Sequence, residues 1–244
     1  MEGTTGLLAR LEYPGRLIVI GAPQDGGKAA VLYAITGRSP SSQARKLVHR
    51  DGGIWVRPTD EETLRTGNVD LLVYPALLFA GAGIAVSNGK QTADVRAGLG
   101  PGADPVAVLS RALGAWDFEP DAPIYTPRIS GCLVGGRAAL SVVRRGPSAE
   151  TLRSYFEVAL RAGEGRLVST YDGPNADPLP VFGGEPRRLG WIGTTAVESA
   201  EAAYGELAPA AGGKDFRVAV ACVFASPDLP GDIDVHIINR HERT

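Results

Sequence analysis

Short apolar runs, each about as long as a β-strand, recur along the whole chain between turns rich in glycine, proline and polar residues. Residues 17–20 form the first run, and residues 29–35 form the second across a Gln-Asp-Gly-Gly turn, so the two predict a hairpin. Eight further runs predict strands at residues 54–56, 71–74, 84–86, 129–134, 139–143, 167–171, 218–224 and 233–238. The pattern therefore predicts a protein dominated by strands.

Helical spacing, with apolar residues three and four positions apart, appears in three places. These predicted helices span residues 105–116, 149–162 and 196–207. Ser148 and Gly163 are suitable N-cap and C-cap residues for the second of them. Because the strands come in hairpins with helices grouped between them, we expect an α+β layered sandwich and not alternating βαβ units. No long polar linker divides the 244 residues, so a single domain over residues 1–244 is expected.

Composition narrows the classes of function. The net charge of −2 supplies no broad basic surface for a nucleic-acid backbone. No apolar run approaches the roughly 20 residues that cross a bilayer, and no signal-peptide pattern opens the chain, so we expect a cytoplasmic protein. Cys132 and Cys222 lie in apolar runs, which favours buried free thiols, and no histidine stands near them at zinc-ligand spacing. We therefore expect no metal, no membrane and no nucleic-acid partner.

Fixed cations and hydroxyls are concentrated between residues 13 and 45. Arg16 follows a Tyr-Pro-Gly turn, and Arg38, Ser39 and Arg45 lie in the run Thr-Gly-Arg-Ser-Pro-Ser-Ser-Gln-Ala-Arg. Arginine forks beside serine hydroxyls, with a glycine that admits backbone amides, are the chemistry expected around a phosphate or carboxylate. The stretch predicts a local anion site.

Three later motifs accompany this stretch. They read Leu-Val-Tyr-Pro at residues 72–75, Ala-Val-Ser-Asn-Gly-Lys-Gln-Thr-Ala-Asp at residues 85–94 and Ile-Tyr-Thr-Pro-Arg-Ile at residues 124–129. In this order the motifs resemble the IMP cyclohydrolase family of archaeal type. The resemblance implies a four-layer αββα fold of Ntn-hydrolase type, and an enzyme that closes the purine ring of IMP from formamido-imidazole-carboxamide ribotide. It also implies a small-molecule nucleotide substrate, no cofactor and a homo-oligomer.

The resemblance assigns roles to ten residues. The catalytic candidates are Arg16, Arg38, Tyr74 and Tyr125. The substrate-binding candidates are Ser39, Arg45, Asn88, Thr92, Asp94 and Arg128. Ring closure joins an amide nitrogen to a formyl carbon of the same molecule and expels water, so positioning carries much of the catalysis. A donor near the formyl oxygen should lower the barrier, and protons must move at the nitrogen and at the departing oxygen.

Several of these residues have a purely structural alternative. Arg16 and Tyr74 would then be strand-end residues that bond turn carbonyls, and Arg128 would form a structural salt bridge. Tyr125 and Arg128 are three residues apart, which puts them on opposite faces of an extended segment. Both can line one pocket only if Pro127 bends the chain.

The second and third motifs carry alternatives of their own. Asn88 begins an Asn-Gly pair, the strongest local turn signal in the chain, and fits a type I′ hairpin turn. Thr92 and Asp94 also suit the first turn of a helix. Glutamates that the resemblance implies have their nearest counterparts here in Asp117 and Glu119, for which a solvent-exposed turn is the alternative.

Residues 173–188 form a long segment rich in glycine and proline, which we interpret as a lid, a partner surface or an ordinary surface excursion. The C-terminal third departs from the compact archaeal pattern. Two other functions therefore stay open. One is a related cyclase or amidohydrolase acting on another imidazole or nucleotide, and the other is a nucleotide-binding protein without turnover.

Overall fold

The computed structural model describes residues 6–60, 73–226 and 232–243. The strands are β1 (Arg16–Gly21), β2 (Ala29–Thr36), β3 (Arg45–Arg50), β4 (Gly53–Pro58), β5 (Tyr74–Ala80), β6 (Gly83–Ser87), β7 (Arg128–Val134), β8 (Arg137–Arg145), β9 (Thr151–Val158), β10 (Glu164–Ser169), β11 (Arg187–Gly190), β12 (Arg217–Ala225) and β13 (Ile233–Asn239). The helices are α1 (Pro40–Gln43), α2 (Thr92–Ala97), α3 (Pro105–Ala112) and α4 (Ala196–Glu206), with 3-10 turns at Leu8–Arg10 and Arg240–Glu242.

The strands form two antiparallel sheets. One has the order β11-β10-β1-β2-β12-β13, and the other runs in sequence order from β3 to β9. With helices outside both sheets, the α+β prediction is confirmed. Among the described residues, no helix combines the length and the apolar character needed to cross a membrane.

The two sheets pack face to face around the largest apolar core. Ile18 and Tyr33 of the first sheet meet Ile54 and Leu140 of the second there. A second core lies between the first sheet and α4, and a third lies between the second sheet and the pair α2 and α3. The layers therefore follow the order helix, sheet, sheet, helix.

The turn into β1 is possible because residue 15 is a glycine. Gly15 has a φ of +72°, and a Cβ at this position would collide with Thr170 Oγ1 and lie 2.7 Å from the ring of Tyr171. The chain then enters β1, which pairs with β2 in the register Leu17 to Ala34. The predicted hairpin is confirmed. The turn at Gly15, which precedes it, places Arg16 at the first position of β1.

The helix predicted for residues 149–162 is wrong, because the chain forms edge strand β9 there. Ser148 and Gly163 accordingly cap no helix. Leu152 and Phe156 are four residues apart, a spacing that lies on one face of a helix but equally on one face of a strand. Strand β9 contains two aromatic residues, Tyr155 and Phe156, and begins and ends with a β-branched residue, and Phe156 packs on the intersheet core.

Other predicted elements differ at their ends. The helices predicted at residues 105–116 and 196–207 are present as α3 and α4, and α3 ends four residues early. The strand predicted at residues 71–74 begins only at Tyr74 and continues to Ala80, while residues 71 and 72 lie outside the described residues. Strands β3 and β11 fall outside the predicted runs.

The predicted hairpin turn at Asn88 is also wrong. Strand β6 leads into helix α2 there, and its next neighbour β7 starts only at Arg128. Neither Asn88 nor Gly89 has the positive φ that a type I′ turn requires.

Residues 173–188 fold back on the molecule. Val181 bridges to Tyr171, Leu179 is 5% exposed, and Phe182 is buried in the intersheet core. The segment is therefore packed along part of its length and is not a simple surface excursion.

A side chain of β13 joins the two sheets at one edge. Asn239 Oδ1 accepts a hydrogen bond from the backbone nitrogen of Leu47 at 2.8 Å, and Nδ2 donates to the Leu47 oxygen at 3.0 Å. Leu47 lies on β3, the first strand of the opposite sheet. The amide therefore satisfies two backbone groups that lack a neighbouring strand.

Replacing Asn239 with alanine should lower the free energy of unfolding by about 2–3 kcal/mol, because two buried backbone groups lose their partners. Urea denaturation of the variant and the parent measures this. Asn175→Ala is the control, since Asn175 is exposed, and it should change stability by less than about 0.5 kcal/mol. Equal losses in both variants would contradict this role of Asn239.

Both thiols should resist a thiol-specific reagent in the native protein at pH 8 and react once it is denatured. Cys132 and Cys222 are buried and unpaired. Burial raises the pKa of the Cys132 thiol to about 12 and also raises the pKa of Cys222. Since the thiolate is the reactive form, little of it is present at pH 8. Rapid reaction of either thiol before unfolding would contradict this expectation.

Candidate functional site

A cavity of about 320 Å³ opens at the end of the sandwich where β1, β3 and β7 begin and where β2 and β10 end. Its lining residues are Tyr13, Arg16, Arg38, Ser39, Ser41, Ser42, Arg45, Glu119, Asp121, Ile124, Thr126, Tyr171 and Leu179. Both sheets contribute. The structure thus brings Arg16, Arg38, Ser39 and Arg45 of the predicted site together.

Arg16 is a cation of this cavity that stands at the first position of β1. It lies two residues before Ile18, so its side chain is directed to the same intersheet side. Its guanidinium forms no hydrogen bond with the described residues, and Nε is fully buried. Burial alone lowers the pKa of Arg16, but electrostatic interaction with Tyr74, Tyr171, Tyr33 and Glu119 outweighs this, and the net shift is upward. Arg16 is therefore a charged donor whose buried Nε has no hydrogen-bond partner among the described residues.

The other two arginines lie nearer the opening. Arg38 is half-buried, with its guanidinium carbon 5.9 Å from the centre of the Tyr13 ring and a long 3.4 Å contact to the Ala176 oxygen. Arg45 is 5% exposed and donates to two backbone oxygens, that of Ser42 at 2.7 Å and that of Thr36 at 3.2 Å. Arg45 is thus held mainly by the protein, whereas Arg38 is free to bind an anion.

The serines between these arginines form a tight turn. Ser39 Oγ accepts from the nitrogen of Ser42 at 3.2 Å, while Ser42 Oγ accepts from the nitrogen of Ser39 at 2.9 Å. This reciprocal cap begins the short helix α1. Ser39 and Ser41 stay exposed at the mouth of the cavity.

Glu119 supplies a carboxylate to the cavity and is held by Arg128. The two oxygens accept from Arg128 at 2.6 and 3.1 Å, and each side chain is 12% exposed. Arg128 also donates to the backbone oxygen of Asp117 at 2.7 Å, and its guanidinium carbon lies 4.6 Å from the centre of the Trp116 ring. The structural alternative for Arg128 is therefore present, and through it Arg128 orients Glu119. The exposed-turn alternative is wrong for Glu119, which is 9% exposed.

Asp121, Thr126 and Tyr171 form a hydrogen-bonded chain on the cavity wall. Asp121 accepts from the nitrogen of Thr126 at 2.6 Å and from its hydroxyl at 2.5 Å. The Thr126 hydroxyl lies 3.0 Å from the Tyr171 hydroxyl. Because the single threonine hydrogen is given to Asp121, Tyr171 donates to Thr126. The Tyr171 ring also stacks on Tyr13, with 5.6 Å between ring centres.

Tyr74 lies next to the site and does not line the cavity. It is 2% exposed, and its hydroxyl is 2.9 Å from the hydroxyl of Tyr33 on β2. Tyr74 interacts electrostatically with Arg16, which does line the cavity.

Besides Tyr74 and Arg128, four predicted residues do not line the cavity. Asn88 bonds Pro127, Ile129 and Gln91, each at 2.9 Å, and so ties the end of β6 to the start of β7. The Thr92 hydroxyl donates to the Gly89 oxygen at 2.8 Å, and Asp94 accepts from Trp116 Nε1 at 2.7 Å. Tyr125, with a φ of +53°, packs edge-on against Phe118 and beneath Arg145.

Sequence reasoning missed much of the wall. Asp121, Thr126 and Tyr171 carry polar groups there, although Thr126 lies inside a recognised motif and Tyr171 ends a predicted strand. Tyr33 was visible only as a member of an apolar run. Across the described ranges, no cluster of three or more His, Cys, Asp or Glu residues is placed to hold a metal ion.

Comparison with known proteins assigns the chain to a family. Residues 13–225 match the family described as "IMP cyclohydrolase-like protein", so the chain belongs to that family and the resemblance seen in its motifs is confirmed. Two relatives named IMP cyclohydrolase come from Halobacterium salinarum strains ATCC 29341 / DSM 671 / R1 and ATCC 700922 / JCM 11081 / NRC-1. Each is 29% identical over 193 residues, which cover 79% of this chain and 84% of the relative.

Arg128→Met should lower the free energy of unfolding by about 3 kcal/mol, because Glu119 would be left with an unpaired, largely buried charge. Urea denaturation measures the effect. Arg188→Met is a matched control: its partner is Glu164, but the Arg188 side chain is 55% exposed. Its loss should stay below about 1 kcal/mol. Comparable losses would mean that Arg128 does not hold a buried charge.

Proposed function

We propose that this protein is an IMP cyclohydrolase that closes the ring of formamido-imidazole-carboxamide ribotide with loss of water. The observation that carries the proposal is Arg16, which lines the cavity and whose buried Nε has no hydrogen-bond partner among the described residues. A buried donor of this kind needs an acceptor, and the oxygen that gains negative charge as the ring closes is such an acceptor. Family membership and the two relatives named IMP cyclohydrolase support the same activity.

The polar lining suggests how the substrate is oriented. Arg38, Ser39 and Ser41 stand at the exposed mouth, where a phosphate keeps part of its hydration. Arg16 and Glu119 lie deeper, where the imidazole ring with its formyl and carboxamide groups would bind. The phosphate would thus be held at the mouth and the reacting groups at the inner end.

Each inner group then has a chemical role. The charge of Arg16 stabilises the formyl oxygen as the carboxamide nitrogen adds to the carbon. The Glu119 carboxylate, kept in place by Arg128, is the nearest candidate to accept a proton from that nitrogen. Tyr74 adjoins the lining without belonging to it in this structure, and its hydroxyl is proposed to contact and orient the formyl group once the substrate is bound.

We also propose that the fold is an Ntn-hydrolase-like αββα sandwich, because its layers follow the order helix, sheet, sheet, helix. The single domain, the homo-oligomer, the cytoplasmic location and the absence of a cofactor stay predictions.

The first experiment incubates metal-stripped protein with formamido-imidazole-carboxamide ribotide and follows IMP by absorbance and chromatography. We expect conversion that survives a chelator. Arg16→Met should lower kcat/KM by about 100-fold or more, as loss of an oxyanion donor does, and Tyr74→Phe should lower the rate with substrate binding intact. Arg188→Met, an exposed cation on β11, is the control and should match the parent.

Two results would overturn the proposal. Absence of conversion together with tight calorimetric binding of IMP would move the function to another substrate or to binding alone. Parental activity in Arg16→Met would show that the buried cation has no part in the reaction.

A further inference from the structure

Two buried phenols meet between the sheets, directly beside the proposed site. Tyr33 lies on β2 and is 0% exposed, and Tyr74 begins β5 of the opposite sheet and is 2% exposed. Their hydroxyl oxygens are 2.9 Å apart. Within the described part of the chain, each hydroxyl has the other as its sole hydrogen-bond partner.

A count of hydrogens shows that the pair is incomplete. Two phenols carry two hydroxyl hydrogens, and the single bond between Tyr33 and Tyr74 uses one of them. The second hydrogen has no acceptor among the described residues, and neither does the buried Nε–H of Arg16. Buried donors without acceptors are unfavourable, so two of them in one region leave room for an acceptor that the described residues do not supply, and the substrate of the proposed reaction offers one.

The strand ends indicate which phenol faces that acceptor. Tyr74 begins β5 at the end of the sandwich where the cavity opens, whereas Tyr33 lies three residues inside the end of β2. Arg16, which lines the cavity, interacts electrostatically with both phenols. Burial, followed by the neighbouring Tyr74, raises the pKa of Tyr33 well above its usual value. Tyr33 therefore stays protonated and is able to donate to the Tyr74 oxygen.

We propose that Tyr33 is a positioning residue of the cyclohydrolase site, whose hydroxyl donates to the Tyr74 oxygen and so directs the Tyr74 hydrogen toward the formyl oxygen of the substrate. A hydroxyl that accepts a hydrogen bond is also a better donor, so Tyr33 strengthens the contact that it orients. Tyr33 itself touches no substrate. The inference rests on the proposed function and adds a residue that acts through Tyr74.

The test is a double-mutant cycle with the ribotide as substrate. Tyr33→Phe keeps the buried ring and should lower kcat about tenfold while KM stays within about twofold, because substrate contacts are unchanged. Tyr74→Phe should lower kcat at least as much. The double variant should be no slower than Tyr74→Phe alone, since Tyr33 has nothing left to orient. Additive losses would overturn the proposal, as would an unchanged kcat in Tyr33→Phe.

A matched control separates this role from general packing. Tyr204 is also a buried tyrosine, 6% exposed, but it lies on α4 and packs in a different core. Tyr204→Phe should keep the parental kcat. An equal loss of kcat in Tyr204→Phe and Tyr33→Phe would assign the effect to packing and overturn the proposal.

A second variant keeps the test decisive if Tyr33→Phe does not fold. Incorporation of 3,5-difluorotyrosine at position 33 preserves the ring and hydroxyl but lowers the pH at which the phenol ionises. A phenolate cannot donate a hydrogen bond. The variant should therefore have the parental kcat at low pH, and as the pH is raised its kcat should begin to fall earlier than that of the parent. An unchanged pH profile would overturn the inference. Failure of the parent protein to convert the ribotide would instead overturn the proposed function, which keeps the two apart.

Discussion

The structure depends on one unusual burial, that of Arg16 Nε between the two sheets, where the described residues offer it no hydrogen-bond partner. Burial of part of a cation in this way is unfavourable unless neighbouring dipoles and charges compensate for lost water. Here phenols and the Glu119 carboxylate surround it electrostatically, and the sheets leave a cavity beside it. Gly15 makes the placement possible, because only a residue without a side chain fits the turn next to Tyr171.

The charges of the cavity are unevenly balanced. Three arginines line it, Arg16, Arg38 and Arg45. Of the two lining carboxylates, Glu119 already faces Arg128 and Asp121 is committed to Thr126. The lining therefore favours an anion overall while still offering carboxylate oxygens for proton transfer. A ribotide, with a phosphate at one end and weakly acidic amides at the other, matches this distribution.

Local features of the site were predictable from sequence, and distant ones were not. The β1–β2 hairpin and the position of Arg16 follow from a turn and two apolar runs that are adjacent in the chain. The contact between Tyr33 and Tyr74 joins different sheets across 41 residues, and no local pattern encodes it. Strand β9 was mistaken for a helix because a four-residue apolar spacing suits both periods. Asn88 was predicted to bind the substrate, but its amide ties two strands together and it is not among the residues that line the cavity.

The phenol pair also has a consequence for how the activity is acquired during folding. One partner belongs to each sheet, so the contact that we propose to complete the site forms only when the two halves of the sandwich have docked. A partly folded chain with only the β1–β2 hairpin would carry Arg16 and Arg38 but no enclosed pocket. Catalytic competence should therefore be as cooperative as the fold itself, and a fragment with one sheet would have the charged residues without their chemistry.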